Sequence, residues 1–128
     1  MARVLVVDDD DVIRGLLELN LQLEGHEGVT AADGQDALDQ VAAEPPQLIV
    51  LDVMMPTVNG LQVAERLKAD PSTRGIPIIL LSARAMETDV RSGMEIGVDQ
   101  YVTKPFDPID LMELVERLLD TAAKEGQE

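Results

Sequence analysis

Five residues in this chain have the types and the spacing to do chemistry together. Asp8 and Asp9 follow the run Arg3-Val4-Leu5-Val6-Val7, and Asp52 follows Leu48-Ile49-Val50-Leu51. Ser82 follows Pro77-Ile78-Ile79-Leu80-Leu81, and Lys104 follows Gln100-Tyr101-Val102-Thr103. Each alone has a plainer reading. Asp52 would be a turn or helix-capping acid, Asp8 to Asp11 a solvated acidic helix start, Ser82 a strand-end cap and Lys104 a surface lysine. Asp52 weighs most, because four apolar residues lead straight into it and desolvating a carboxylate is costly. Carboxylates brought close raise each other's pKa unless a cation intervenes. Mg²⁺ suits such a set, since it binds hard oxygens through a few carboxylates and keeps several waters. One carboxylate can then attack phosphorus as a nucleophile. Lys104 can neutralise a phosphoryl oxygen as a point charge, and the Ser82 hydroxyl can donate to another. Cation and amine together offset the charge of a phosphoryl-transfer transition state. The chemistry implied is phosphoryl transfer onto Asp52.

These residues meet only if the elements place them at one edge. The apolar runs 3–7, 48–52 and 77–81 read as strands buried on both faces. Glu27 to Ala31 reads as an edge strand, and Gln100 to Thr103 as a short fifth strand. Between them, helical spacing predicts helices from about Asp11 to Glu24, with Gly25 closing it, and from Gln35 to Ala43, closed by Pro45-Pro46. A third runs through Leu61, Val63, Ala64 and Leu67, and a fourth, with a weak stripe and Gly93 inside it, from Glu87 to Ile96. The last opens at Asp107-Pro108 and presents Ile109, Leu111, Met112, Leu114, Val115, Leu118 and Leu119. Strand and helix alternate five times, which implies an α/β, mostly parallel, doubly wound sheet covered on both faces. Ligands of such sheets collect at the C-terminal ends of the strands, where all five residues sit.

The bulk numbers fit this. At 128 residues and 45% hydrophobic, the chain has material for one domain and one sizeable core. We place that domain at residues 1–122, followed by a polar tail, 123–128, that frays from about Thr121. With one tyrosine, one phenylalanine and no tryptophan, aliphatic side chains must fill the core. A net charge of −15 disfavours direct binding to nucleic acid and suits a cation or a basic protein patch. Without cysteine there is no disulfide or thiol chemistry. No leader-like or membrane-spanning run is visible, and a cytoplasmic setting is expected.

The motifs Val-Val-Asp8-Asp9, Leu-Asp52-Val-Met-Met-Pro56-x-x-x-Gly60, Leu-Leu-Ser82-Ala83 and Tyr101-Val-Thr-Lys104-Pro105-Phe106, in this order and spacing, resemble the receiver domain of two-component response regulators. The resemblance covers about Arg3 to Leu119. It implies a flavodoxin-like five-stranded sheet in the order 2-1-3-4-5 with five helices. It further implies that Asp52 is the phosphoacceptor, fed by a histidine kinase or phosphotransfer protein. Asp9 and Asp52 would ligate Mg²⁺ directly, with the backbone carbonyl of Met54, and Asp8 would hold it through water. Ser82 would follow the phosphoryl group, Lys104 would bind it across a cis Lys104–Pro105 bond, and Tyr101 would be the switch aromatic, with small Ala83 leaving it room. The face of the fourth helix, fifth strand and fifth helix would carry the output to a downstream protein. Such a domain is a signalling module and not an enzyme in the ordinary sense. Met54 and Arg84 stand where the family tunes dephosphorylation. Their bulk near the path of the hydrolytic water is expected to give a long-lived phospho-form.

Relatives with winged-helix output modules often pair through that same face, using basic residues on the fifth helix. Here the corresponding positions hold Leu114 and Glu116, and Gln100 replaces an acid. A monomer or a weak, phosphorylation-dependent dimer is expected. A stand-alone regulator is the preferred reading over a receiver cut from a longer chain. An aspartyl-phosphate phosphatase of the dehalogenase type would need a second Asp where Met54 stands. A flavodoxin-like cofactor binder would need a phosphate cradle where four aspartates stand. The competing reading is a degenerate receiver that acts as a phosphorylation-independent interaction module.

Overall fold

A computed structural model of the chain describes residues 2–55, 58–82, 91 and 94–125. Five strands form one parallel sheet in the order β2-β1-β3-β4-β5, with β1 at Arg3–Val7, β2 at Glu27–Ala31, β3 at Leu48–Asp52, β4 at Ile78–Ser82 and β5 at Gln100–Thr103. The expected order and the expected strands are therefore present. Helices α1 (Asp11–Leu23), α2 (Gly34–Ala43) and α3 (Gly60–Ala69) connect the first four strands, and a C-terminal helix runs from Pro108 to Glu125. Residue 91 and residues 94–96 are helical where the fourth helix was expected; most of Glu87 to Ile96 lies outside the described residues.

The continuous apolar runs are explained by the period of two along a strand. Leu5, Val7, Ile49, Leu51, Ile78 and Leu80 face one layer, against Ala37, Val41, Val63 and Leu67 of α2 and α3. Val4, Val6, Leu48, Val50, Ile79 and Leu81 face the other, against Leu17 and Leu21 of α1 and Leu111, Met112 and Val115 of the C-terminal helix. Both cores are aliphatic, as the scarcity of aromatics requires. Of the apolar residues in α1, only Leu17 and Leu21 are buried; Val12, Leu16, Leu19 and Leu23 face outward. The wide stripe in the sequence is thus two rows, of which the sheet takes one.

Local chemistry fixes the helix ends. The Asp10 side chain accepts from the backbone N–H groups of Val12 and Ile13 and starts α1. Asp33 does the same for α2 through Asp36, and Asn59 and Gln62 form a reciprocal capping box on α3. Gly25, at φ +85°, takes the left-handed turn after α1. The C-terminal helix runs past Thr121 to Glu125, where Ala122, Ala123, Lys124 and Glu125 all favour helix after the apolar stripe has ended. Among the described residues no helix is long and apolar enough to cross a membrane.

Candidate functional site

The parallel sheet brings the ends of β1, β3, β4 and β5 to one edge. The four-aspartate run divides its labour there. Asp8 is fully buried: its backbone N–H extends the ladder to Ala31, and its Oδ1 accepts from the N–H of Asp10 at 2.9 Å. Arg14, one turn into α1, donates to the Asp8 carbonyl at 2.7 Å. Asp9 is exposed at the rim. Asp10 caps α1, and Asp11 pairs with Arg14 in the first turn. Asp8 and Asp9 therefore belong to the site, while the next two aspartates belong to the helix.

Asp52, at the end of β3, is 2% exposed. Carboxylate oxygens of Asp8, Asp9 and Asp52 all lie within 4.8 Å of one another. Lys104 reaches in from beyond β5. Its Nζ lies 2.9 Å from Asp8 Oδ2 and 3.4 Å from Asp52 Oδ1. The Lys104 backbone N–H donates to the Ser82 carbonyl at 2.7 Å, and the Lys104–Pro105 bond is cis, as the resemblance implied. Ser82 is buried at the end of β4, one residue past Leu81, the register partner of Asp52. The Met54 N–H points to Asp52 Oδ1 at 3.4 Å, while its side chain is exposed. Tyr101 is partly buried on β5, opposite Leu80. Pro56, Ala83, Arg84 and Gly93 lie outside the described residues.

Electrostatics follow from this geometry. Burial, and then the charge of Asp8, push the Asp52 carboxyl up from its ordinary value to about 6, against the ammonium of Lys104. Burial draws the Lys104 ammonium down, but the hydrogen bond to Asp8 and the charges of Asp52 and Asp8 outweigh it and hold it above the ordinary lysine value. One ammonium cannot balance three carboxylates. A close set of hard oxygens with surplus negative charge is the donor set a small divalent cation prefers, so these residues fit a metal site.

Sequence reasoning gave no structural role to two supports, Gly60, which it quoted only as part of a motif, and Arg14. Gly60 donates its N–H to the Val53 carbonyl, and a Cβ there would lie 2.2 Å from the Asp52 carbonyl oxygen. The start of α3 thus lies directly against the backbone of Asp52 and Val53, and only glycine leaves the space. The fixed spacing from Asp52 to Gly60 was the available signal. Arg14, the anchor of the Asp8 backbone, has no such signal beyond its place one turn into α1. A groove of about 520 Å³ lies between α1 and the C-terminal helix, beside Asn20, Met112 and Glu116, and contains none of these site residues.

A family model described as response regulator receiver domain matches residues 4–116. The alkaline phosphatase synthesis transcriptional regulatory protein PhoP of Bacillus subtilis is 41% identical over 117 residues, which cover 91% of this chain and 48% of that protein. The response regulator PleD of Caulobacter vibrioides is 44% identical over 117 residues, covering 91% and 26%. The chain thus spans about half the length of the first of these relatives and a quarter of the second. Among solved structures, a CheY-like response regulator receiver domain protein from Methanospirillum hungatei superposes with a TM-score of 0.93 at 29% identity, over 98% of each chain. The chemotaxis protein CheY4 of Vibrio cholerae gives 0.87 at 31% identity, over 92% of this chain and 98% of that one.

Proposed function

The chain belongs to the response regulator receiver domain family, and from that premise we propose that it accepts a phosphoryl group on Asp52 from a histidine kinase or phosphotransfer protein, with Mg²⁺, and so controls a partner or output. The observation that carries the proposal is the Lys104 ammonium set between two buried carboxylates, Asp8 and Asp52. A cation of this kind beside a buried acceptor has a use once a phosphoryl group arrives, since it can shift from the carboxylates to a phosphoryl oxygen.

In the proposed reaction an Asp52 oxygen attacks phosphorus while the bond from phosphorus to the donor's imidazole nitrogen breaks. The acyl phosphate forms and the imidazole leaves. Asp52 must be ionised for this, and a carboxyl near 6 is largely so at neutral pH. Asp8, Asp9 and Asp52, with the Met54 backbone carbonyl, would hold Mg²⁺, which when bound supplies positive charge for the transferring oxygens. Ser82 donates its hydroxyl to another phosphoryl oxygen, and Tyr101 follows that movement inward. The product is favoured in the active state only through such differential contacts. The switched surface is the one built from the fourth helix, β5 and the C-terminal helix.

Intact mass after incubation with acetyl phosphate and Mg²⁺ tests the reaction. One phosphoryl adduct is expected on the native chain and none on Asp52→Ala. No adduct on the native chain would instead support a phosphorylation-independent interaction module.

A further inference from the structure

Strand β5 carries Tyr101 and, one residue past its end, Lys104. Yet it is four residues long, partly exposed, and paired on one side only. A strand this short has few ladder pairs with which to hold its register. Lys104 Nζ must nevertheless land on two carboxylates, at 2.9 and 3.4 Å. A slip of one residue would carry it about 3.3 Å along the strand and turn Tyr101 to the opposite face.

The opposite end of β5, remote from the site, holds a clasp that meets this need. The Asp99 N–H donates to the Ile78 carbonyl at 3.0 Å, and Asp99 Oδ2 accepts from the Ile78 N–H at 2.8 Å. One residue thus grips both polar groups of the first residue of β4. Lys68, near the end of α3, places its ammonium 3.6 Å from the same Oδ2 and donates to the carbonyls of Arg74 and Ile76, each at 3.0 Å. The preceding residue, Val98, is buried in the core with Ile78 and Leu80. From this clasp the register runs Ile79 to Gln100, Leu80 to Tyr101, Leu81 to Val102 and Ser82 to Thr103, and ends at the Lys104 N–H on the Ser82 carbonyl.

We propose that Asp99, held by Lys68, is a positioning residue for Lys104: it fixes the register of β5 from the far end of the strand and thereby sets the Lys104 amine between Asp8 and Asp52. Its effect on phosphoryl transfer rests on the acceptor reading of Asp52; its effect on where the amine sits does not.

The test compares Asp99→Ala, Asp99→Asn and Lys68→Met with the native chain. Three quantities are read: amide exchange over residues 100–104, the rate at which an acylating reagent labels the Lys104 amine, and the rate of phosphorylation by acetyl phosphate at saturating Mg²⁺. Asp99→Ala is expected to raise β5 exchange and Lys104 labelling roughly tenfold, through local opening. Its phosphorylation is expected to slow by at least about tenfold, as misplacement of a catalytic group by an ångström does. Asp99→Asn keeps an oxygen for the Ile78 N–H and stays close to native on all three. Lys68→Met falls between, and serves as the reporter if Asp99→Ala does not fold. Native labelling of Lys104 in Asp99→Ala and Lys68→Met overturns the proposal, as does an Asp99→Asn variant as impaired as Asp99→Ala. A native chain that takes no phosphoryl group counts against the acceptor reading alone, because exchange and labelling still decide the positioning role.

Discussion

At the scale of residues, the site is built around an uncomfortable carboxylate. Burial and Asp8 raise the Asp52 pKa to about 6 in the folded chain, so the folded state binds its proton more tightly than the unfolded state. Without a divalent cation, the contribution of Asp52 to stability is then greatest below about pH 4, falls as pH rises from about 4 to 6, and levels off above. The cost of ionised Asp52 at neutral pH is roughly 3 kcal/mol. Asp52→Asn should remove most of that slope, measured as urea unfolding against pH in chelator; an unchanged slope would place the strain elsewhere. Gly60→Ala sets a methyl against the Asp52 carbonyl and should cost about 2–3 kcal/mol or more. Met54 is exposed beside Asp52, the proposed acceptor. Met54→Asn is expected to shorten the phospho-form lifetime several-fold by admitting and orienting water, and an unchanged rate of phosphate release would refute that role. Residues at strand ends and residues that act on backbone groups differ in how visible they were. Asp52 and Ser82 stood out because each ends an apolar run, and Lys104 because it follows the short strand candidate Gln100 to Thr103 and precedes Pro105. Arg14 and Asp99 did not, and Gly60 stood in a motif without a role, because each acts through a backbone group that becomes its neighbour only after folding.

At the scale of elements, continuous apolar runs marked β1, β3 and β4 as strands buried on both faces, while β2 and β5 were read from shorter, weaker segments. The sequence could not reveal which row of α1 meets the sheet, since Val12, Leu16, Leu19 and Leu23 are as apolar as Leu17 and Leu21. Nor could apolar periodicity alone show that the last helix reaches Glu125, where propensity takes over from pattern. Helix starts are governed by single side chains: Asp10→Ala should cost about 1 kcal/mol through loss of the α1 cap, read from the unfolding midpoint. The switch belongs to this scale as well. A phosphoryl mimic such as beryllofluoride should change amide exchange across residues 87–101, where the sequence has a weak helical stripe and the short edge strand follows. Exchange unchanged there would defeat the assignment of the output face.

At the scale of the whole molecule, the excess of acidic over basic residues, 25 to 10, gives a chain that repels itself and attracts cations. Mg²⁺ should therefore raise the thermal midpoint beyond an ionic-strength-matched sodium control, by binding the folded state. Asp9→Asn should abolish the excess, since Asp9 is the exposed member of the cluster and its replacement disturbs no core packing. The doubly wound sheet gathers four strand ends at one edge, and everything proposed for the site depends on that gathering. The most direct measurement locates the phosphoryl group by residue: phosphorylate with acetyl phosphate and Mg²⁺, reduce the acyl phosphate with borohydride, digest, and sequence the peptides by mass spectrometry. Homoserine at position 52 is the expected result. Homoserine at Asp8, Asp9 or any other position, or none at all, would contradict the assignment of Asp52 as the acceptor.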